Sequence, residues 1–564
     1  MTFAPPRHDQ LMPVMNELLL AYSKLHRLSG SEDAEQAAGL LVEMLREHGL
    51  EADLESCPLL LSDPLEGSLL LPDFPEWQVR AKTRSFSAHC PQGVKAPLYY
   101  DNASTQTRSD LEWQQWSQQV RGKIVIADQG FEDYVQRLDA ARAVGLIHLW
   151  GSAETALHEE TVGPIWGTPT PDDQQRYPRL PVISINQRDG QRLLNLYHGE
   201  QRIEAQMRTV LNRHVRPCSL PIVEIGGQTP EFVLLSSHYD SWHEGVTDNA
   251  TGNALCLAMA LHFQQQAGTL RRGLRIAWWP GHSNARYGGS TWYADNYRQQ
   301  LGKHCVAHIN VDSPGCLDAV QVVINASGAE SNDFLNQAVA AVTGKPALRI
   351  TPLGKGGDQS FWGSGVPMHF ALREVPLEKT SDSPGSGGGW WWHTEEDSYD
   401  KLDLNILWRD CQIHVHWLDR LLHQPDLPLA AGDYLESMLA ALEQLQDRLD
   451  PQFSLKPIKQ RLLNLCEPIT ALNRRAAAEP ASWQPLLTNI VADFHRLRYS
   501  STDDFHYDLS YRGGAFPGFQ ELAADLQQTS AESRLMMITQ YRRQRDRAIA
   551  LLQQIGDALH RAGL

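Results

Sequence analysis

The sequence predicts an α/β chain built on a mostly parallel sheet, with a small α+β unit inserted into it and a helical unit at its C-terminal end. Three observations lead there. From Ile222 to Leu422 short apolar runs alternate with helical patterns, as in a sheet covered by helices on both faces. From Pro91 to Val215 the runs shorten and polar loops break them. Beyond about Ala430 the periodicity is helical.

Taken in order, apolar residues recur at helical spacing from Met12 to Gly49, and the stretch Ser29-Gly-Ser-Glu-Asp-Ala-Glu offers a capping serine followed by first-turn acids. Two helices are expected there, then a strand over EADLESCPLLL. In the insert, VRGKIVIADQG reads as a strand and VQRLDAARAVGLIHLWG as a helix running into a strand. The central part gives EFVLLSSHYD, NALCLAMALHFQQQ, RGLRIAWWPGH, TWYADNYRQQL and CVAHINVDS as alternating strands and helices. YLESMLAALEQLQDRLD and the final ESRLMMITQYRRQRDRAIALLQQIGDALHRAGL are helical, with an irregular break at DDFHYDLSYRGGAFPGF. The expected division is 1–90 with 216–430 as one unit, 91–215 as the insert and 431–564 as the helical tail.

Composition excludes several functions. Asp and Glu total 67 against 50 Lys and Arg, a formal charge of −17, so nucleic acid and anionic membrane surfaces are repelled on average. No apolar run is long enough to span a bilayer, and the start lacks a cationic head with a long apolar core, which reads as cytoplasmic. The eight cysteines are scattered without a CxxC pair, as in buried reduced thiols rather than a disulfide framework or thiolate zinc site.

Residues of metal-ligand type gather where strands end. His238-Tyr-Asp240 closes the first central strand, and two residues apart on a strand both side chains point one way, so the carboxylate can hold the ring. Asp248 stands at a loop-to-helix junction, where an Asx turn or cap is the ordinary role. Asp312 ends CVAHINVDS, and His393 follows a glycine-rich loop. These are the positions where a parallel sheet opens its ligand crevice, and carboxylates with neutral imidazoles suit zinc.

HYDSWHEGVTDNATG, INVDSPG, GKGGDQSFW and WWHTEEDSYDKLD resemble the zinc aminopeptidase and glutamate carboxypeptidase family of co-catalytic metallopeptidases, in particular the branch with glutamate carboxypeptidase II and the transferrin receptor. The insert is similar to that branch's protease-associated domain, and the tail stands where its dimerisation domain does. The resemblance implies a zinc-dependent hydrolase of peptide or amide bonds, most like an exopeptidase on short peptides, holding one or two zinc ions and forming a homodimer. It implies that His238 and Asp312 ligate one metal, His393 the other, that Asp248 bridges them, that Asp240 orients His238 and that Asp358 shapes the pocket.

One part of the family pattern is absent. Two adjacent glutamates are expected after the next strand, one as general base and one as metal ligand, and His282 and Ser283 stand there instead. Two zinc ions bring four positive charges, and Asp248 with Asp312 offset only two. His282 can serve as ligand or as general base, and a catalytically inactive, receptor-like homologue is the other reading. Glu374, Glu395 and Glu396 are the acids considered as a displaced base. Arg286 or Arg373 can grip a substrate carboxylate, one or more of Trp390, Trp391 and Trp392 should line the pocket, and His243, His304 and His308 read as structural.

Overall fold

The computed structural model describes residues 3–564 apart from 107, 109, 152–154, 165, 200–201, 355, 380, 382 and 507–513. Lys355 of the GKGGDQSFW motif and part of the tail's irregular break therefore lie outside the described residues.

The two N-terminal helices form at His8–Tyr22 and Glu32–Glu47. Ser31 caps the second, its hydroxyl accepting the Ala34 N–H at 3.1 Å, and Glu32, Asp33 and Glu35 complement the positive helix end. The expected strand over EADLESCPLLL is longer than its sequence signal, running Ala52–Leu70 and pairing antiparallel along its length with Glu204–Ile225. This two-stranded ribbon joins the units. The end of Glu204–Ile225 pairs with Gly273–Trp279 in the central part, and its beginning pairs with Cys90–Asp101 of the insert.

The α/β class read from the alternation is the class adopted. Gly273–Trp279, Phe232–His238, Cys305–Asn310 and His369–Val375 lie side by side and parallel. Gln321–Ala326 adds antiparallel to the last of these, and Arg349–Pro352 closes the edge. Every residue of Phe232–His238 is buried, in keeping with the apolar run Phe232–Leu235 that opens it. The helix Thr251–Gln264 is apolar all round because it is buried all round, packed between the N-terminal helices and Leu404–His423 on one face of the sheet. On the other face Leu59, Trp279, Tyr293 and Phe361 form a second core under Gly288–His304.

In the insert Cys90–Asp101, Ile124–Ala127, Gly145–Leu149 and Val182–Ile185 pair in parallel. The tail consists of Ala431–Gln446, Lys456–Ala478, Pro480–Tyr499 and Ala531–Arg561 and docks through Trp362, which stacks on Tyr499 with ring centroids 4.2 Å apart. Among the described residues no helix is long and apolar enough to cross a membrane, and all eight cysteines are free.

Parallel strands carry their following loops to one edge of the sheet, so His238, His282 and Asp312 leave adjacent strands at the same edge. Arg27 fixes one of these loops. It is fully buried, and its guanidinium donates to the carbonyls of Tyr22, Tyr239, Glu244 and Gly245 at 2.6–3.1 Å, tying the N-terminal helices to the chain between His238 and Asp248. Replacing it leaves buried carbonyls without donors. Arg27→Met should lower unfolding free energy by about 3 kcal/mol in chemical denaturation, whereas Leu20→Gln on the exposed side of the first helix should stay within about 0.5 kcal/mol of the wild type.

Candidate metal centre

The centre is organised by the carboxylate of Asp248. Its Oδ1 stands 3.1 Å from His238 Nε2 and its Oδ2 stands 3.1 Å from His393 Nε2, so one buried carboxylate faces a different imidazole with each oxygen. The tautomer of each ring follows from its other nitrogen. His238 Nδ1 lies 2.9 Å from the Asp240 carbonyl and His393 Nδ1 lies 3.0 Å from the Glu159 carbonyl. Carbonyl oxygens only accept, so both Nδ1 atoms carry hydrogen, and in the neutral ring each Nε2 presents a lone pair to Asp248.

A bare nitrogen against a carboxylate oxygen is two acceptors face to face, and among the described residues His238 Nε2 and Asp248 Oδ1 are both buried without a hydrogen-bond partner. A proton or a metal cation between them resolves this. Two ligands of one tetrahedral zinc ion, each at about 2.0–2.1 Å, stand about 3.3 Å apart, which is the spacing found at both Asp248 oxygens. Asp312 Oδ1, 3.8 Å from His238 Nε2, completes a first set with His238 and Asp248. The residues fit a pair of cations sharing Asp248.

With protein groups alone, burial pushes the Asp248 carboxyl up, but the His238 and His393 rings outweigh it and hold the group well below the usual carboxylate range. Burial is likewise outweighed at Asp312, which His238 and Arg373 draw down to about 2. Burial disfavours charge on His238, yet Asp240, Asp248 and Asp312 together carry it well above the usual imidazole value. The field at this point is strongly negative, as a cation site requires.

Asp240 acts differently from the sequence expectation. The strand ends at His238, so the two side chains no longer alternate in register, and the backbone carbonyl of Asp240 orients His238 while the carboxylate's nearer oxygen stays 3.7 Å from the ring. That carboxylate accepts the N–H groups of His282 and Ser283 at 3.1 and 3.0 Å and pins their loop. His282 stacks face to face on His238, with centroids 3.7 Å apart. Its Nδ1–H donates to Asp358 Oδ2 at 2.8 Å, and Ser290 holds the other Asp358 oxygen at 2.9 Å. A ligand atom of His282 lies within 4.8 Å of ligand atoms of both His238 and Asp312, so it stands beside the first set.

Asp397, within the quoted WWHTEEDSYDKLD motif but not singled out there, fixes the approach to Asp248. Its oxygens accept the Thr247 N–H and hydroxyl and the Asp248 N–H at 2.7–3.0 Å. Burial raises its carboxyl to about 7 against those donors.

The insert supplies residues that sequence reasoning missed. The Glu159 N–H donates to the His393 carbonyl at 2.8 Å while its carbonyl takes the ring, a two-way backbone clasp on a residue at φ +58°. Glu160 and His158 approach the same ring, their ligand atoms and that of His393 lying within 4.8 Å of one another. The one signal for them was negative: charge arithmetic required another acid, and HEE is a ligand-type triplet with no patterned spacing to the core motifs.

Insert and core together enclose a cavity of about 450 Å³, within the range of small-molecule sites. Asp248, His282, Asp312 and His393 line it from the core, Phe131, Asp133 and Glu160 from the insert, and Trp392, Arg286 and Arg373 form part of its wall. Trp391 is buried instead, donating from Nε1 to Thr247. The acids considered as a displaced base point elsewhere. Glu374 pairs with Arg409 and Glu395 with Arg80, and Glu396 is exposed outside the cavity. His308 donates to or accepts from Ser236 in the core, and His243 meets Glu159 Oε1 at 3.2 Å.

Because the Asp397 contacts orient Asp248, Asp397→Asn should weaken zinc binding by roughly 10–100-fold, measured by competition with a chromophoric chelator. Unchanged affinity would remove Asp397 from the positioning of Asp248.

Residues 222–417 match the family model described as Peptidase family M28. Carboxypeptidase Q from Rattus norvegicus is 23% identical over 358 residues, 60% of this chain and 72% of its own, and that from Mus musculus is 23% identical over 360 residues, 60% and 73%. Three solved structures share the fold. An aminopeptidase from Aneurinibacillus sp. gives a TM-score of 0.54 at 17% identity, covering 74% of this chain and 95% of that one. A zinc aminopeptidase from Bacillus subtilis gives 0.53 at 20%, with 73% and 95% covered. A peptidase M28 precursor from Shewanella amazonensis gives 0.57 at 18%, with 73% and 94% covered. The matched residues 222–417 carry the strands and loops of the metal centre apart from its insert residues, so it is this part of the chain that is similar to peptidase family M28.

Proposed function

We propose that the protein is a zinc-dependent exopeptidase acting on short peptides in an aminopeptidase-like manner. The observation that carries this is the shared Asp248 carboxylate between two imidazoles whose Nε2 atoms each face one of its oxygens at 3.1 Å. The match of residues 222–417 to a peptidase family, the zinc aminopeptidase of like fold and the carboxypeptidase Q relatives, whose names describe exopeptidases, support the reaction class. A receptor-like role is disfavoured by the same centre, since a binding surface has no use for paired, tautomer-locked imidazoles on one carboxylate.

Zinc, when bound here, supplies Lewis acidity toward the scissile carbonyl and lowers the pKa of water to about 7. The chain's own residues do the rest. His282 has Nδ1–H committed to Asp358, which leaves Nε2 to take the proton of the attacking water and return it to the departing amine. Asp358 holds the ring and stabilises the imidazolium that forms, as Ser290 holds Asp358. The N–H groups of His282 and Ser283 are occupied by Asp240, so they do not serve the tetrahedral oxyanion. Tyr287 of the same loop, which lines the cavity edge-on to His282, is the group placed to do so. Phe131, Trp242 and Trp392 provide apolar surface for the side chain beside the cleaved bond.

Dialysis of the full chain against a strong chelator should abolish cleavage of unblocked dipeptides, and added zinc should restore it. His282→Ala should lower kcat by roughly 10²–10⁴-fold, and Asp248→Ala should leave no measurable turnover. Acetylation of the substrate amine should stop cleavage. Wild-type rates in His282→Ala would take this residue out of the mechanism, and cleavage that survives chelation would overturn the zinc reading.

A further inference from the structure

The cavity over the metal centre does not end at Arg373. A second compartment of about 330 Å³ adjoins it, and Asp312, Ser313, Arg373, Pro384 and Gly385 line both. Sheet register sets its floor. Val323 stands opposite Arg349 on one neighbouring strand and Arg373 on the other, so the two arginines share one face of the sheet. Their Cα atoms are two strand spacings apart, about 10 Å. Asn325 and Thr351 follow one rank along the same face, the Asn325 amide donating to the Thr351 hydroxyl at 2.6 Å. Lys379 and the loop 383–388 close the compartment from the chain that leads to His393.

We infer that this compartment binds a carboxylate carried by the departing part of the substrate. Arg349, Arg373 and Lys379 all line it. Among the described residues neither Arg349 nor Lys379 pairs with an acid, and Arg373 pairs only with Asp312, at 3.9 Å, beyond hydrogen-bonding distance. Glu374, the other acid in the lining, is taken by Arg409 and by the Cys316 N–H, each at 2.7 Å. Three cations gathered in one recess repel one another, and an anion between them relieves that cost. Ser386 adds a donor, because its hydroxyl is buried in the lining loop with no hydrogen-bond partner among the described residues. A carboxylate takes two N–H groups of one guanidinium at once, and Arg349 and Arg373 flank the place where it would lie. The direction follows from the centre. The Glu159 clasp sets the insert against His393, whereas Arg373 stands on the Asp312 side. A peptide with its amino end toward the insert therefore sends its departing part past Arg373.

The substrate role rests on the proposed exopeptidase reading, and the carboxylate site itself does not. The test uses the zinc-loaded full chain. For Ala-Ala, whose departing residue has a free carboxylate, kcat/KM should exceed that for Ala-Ala amide by roughly 10–100-fold, chiefly through KM. Ala-Glu amide carries its carboxylate on the side chain and separates the two sources. A gain over Ala-Ala amide in either peptide supports the inference, and the peptide that gains tells whether a free C-terminus or an acidic side chain is held. Arg349 and Lys379 are exposed and do not touch the metal ligands, so they can be changed where Arg373 cannot. Arg349→Gln with Lys379→Gln should cut the preference by about tenfold, whereas a merely structural defect would lower charged and neutral peptides alike. Arg349→Lys alone should keep part of it. Equal kcat/KM for all three peptides in the wild type, or a preference unchanged in the double variant, overturns the inference. If no peptide is cleaved, the proposed reaction fails, and calorimetric titration with glutarate decides the site. Binding that is lost in the double variant supports the inference, and no binding to the wild type, or binding that the variant retains, overturns it.

Discussion

The structure depends on one carboxylate being shared. Asp248 offers one oxygen to His238 and the other to His393, and these residues come from opposite ends of the central domain, 155 positions apart. Much of the surrounding architecture keeps this arrangement in register. Asp397 holds the backbone before Asp248, Arg27 anchors the same loop to the N-terminal helices, and the Asp240 carbonyl sets the His238 ring. Acceptors held 3.1 Å apart in a buried site cost free energy unless a proton or a metal cation lies between them.

The insert takes part in this geometry and does not merely shade the cleft. Its attachment through the paired strands Ala52–Leu70 and Glu204–Ile225 is a continuous hydrogen-bonded ribbon, which makes it a stiff arm from the core sheet. At the end of that arm Glu159 grips His393 by both its carbonyl and its ring, and Glu160 Oε2 stands 3.6 Å from His393 Nδ1. The orientation of the His393 ring is thereby coupled to the docking of the insert, because a shift of the arm would move the ring it holds.

How much of this was legible in the sequence follows from what kind of signal each part carries. Phe232–His238 and Cys305–Asn310 are buried on both faces, so their apolar runs were unmistakable, and His238 and Asp312 were found because strand ends point to them. Ala52–Leu70 was cut short in the sequence because beyond Leu61 its burial does not alternate, its register shifts between Pro64 and Glu66, and Pro64 and Gly67 are weak strand formers. Asp240 was recognised as part of the site, but its work through a backbone carbonyl has no side-chain signature. Glu160 and His158 were missed because their meeting with His393 spans more than 230 residues and depends on how the insert docks, which no local pattern encodes. The displaced acid was sought near the core motifs, and Glu374, already neutralised by Arg409, shows why proximity in sequence misled.

The central claim is that one carboxylate bridges two cations. X-ray absorption at the zinc edge on the zinc-loaded full chain tests it most directly. The account predicts a shell of nitrogen and oxygen ligands at about 2.0–2.1 Å together with a zinc–zinc vector of about 3.5–4 Å. A fully loaded protein whose spectrum contains the light-atom shell and no zinc–zinc vector would contradict it.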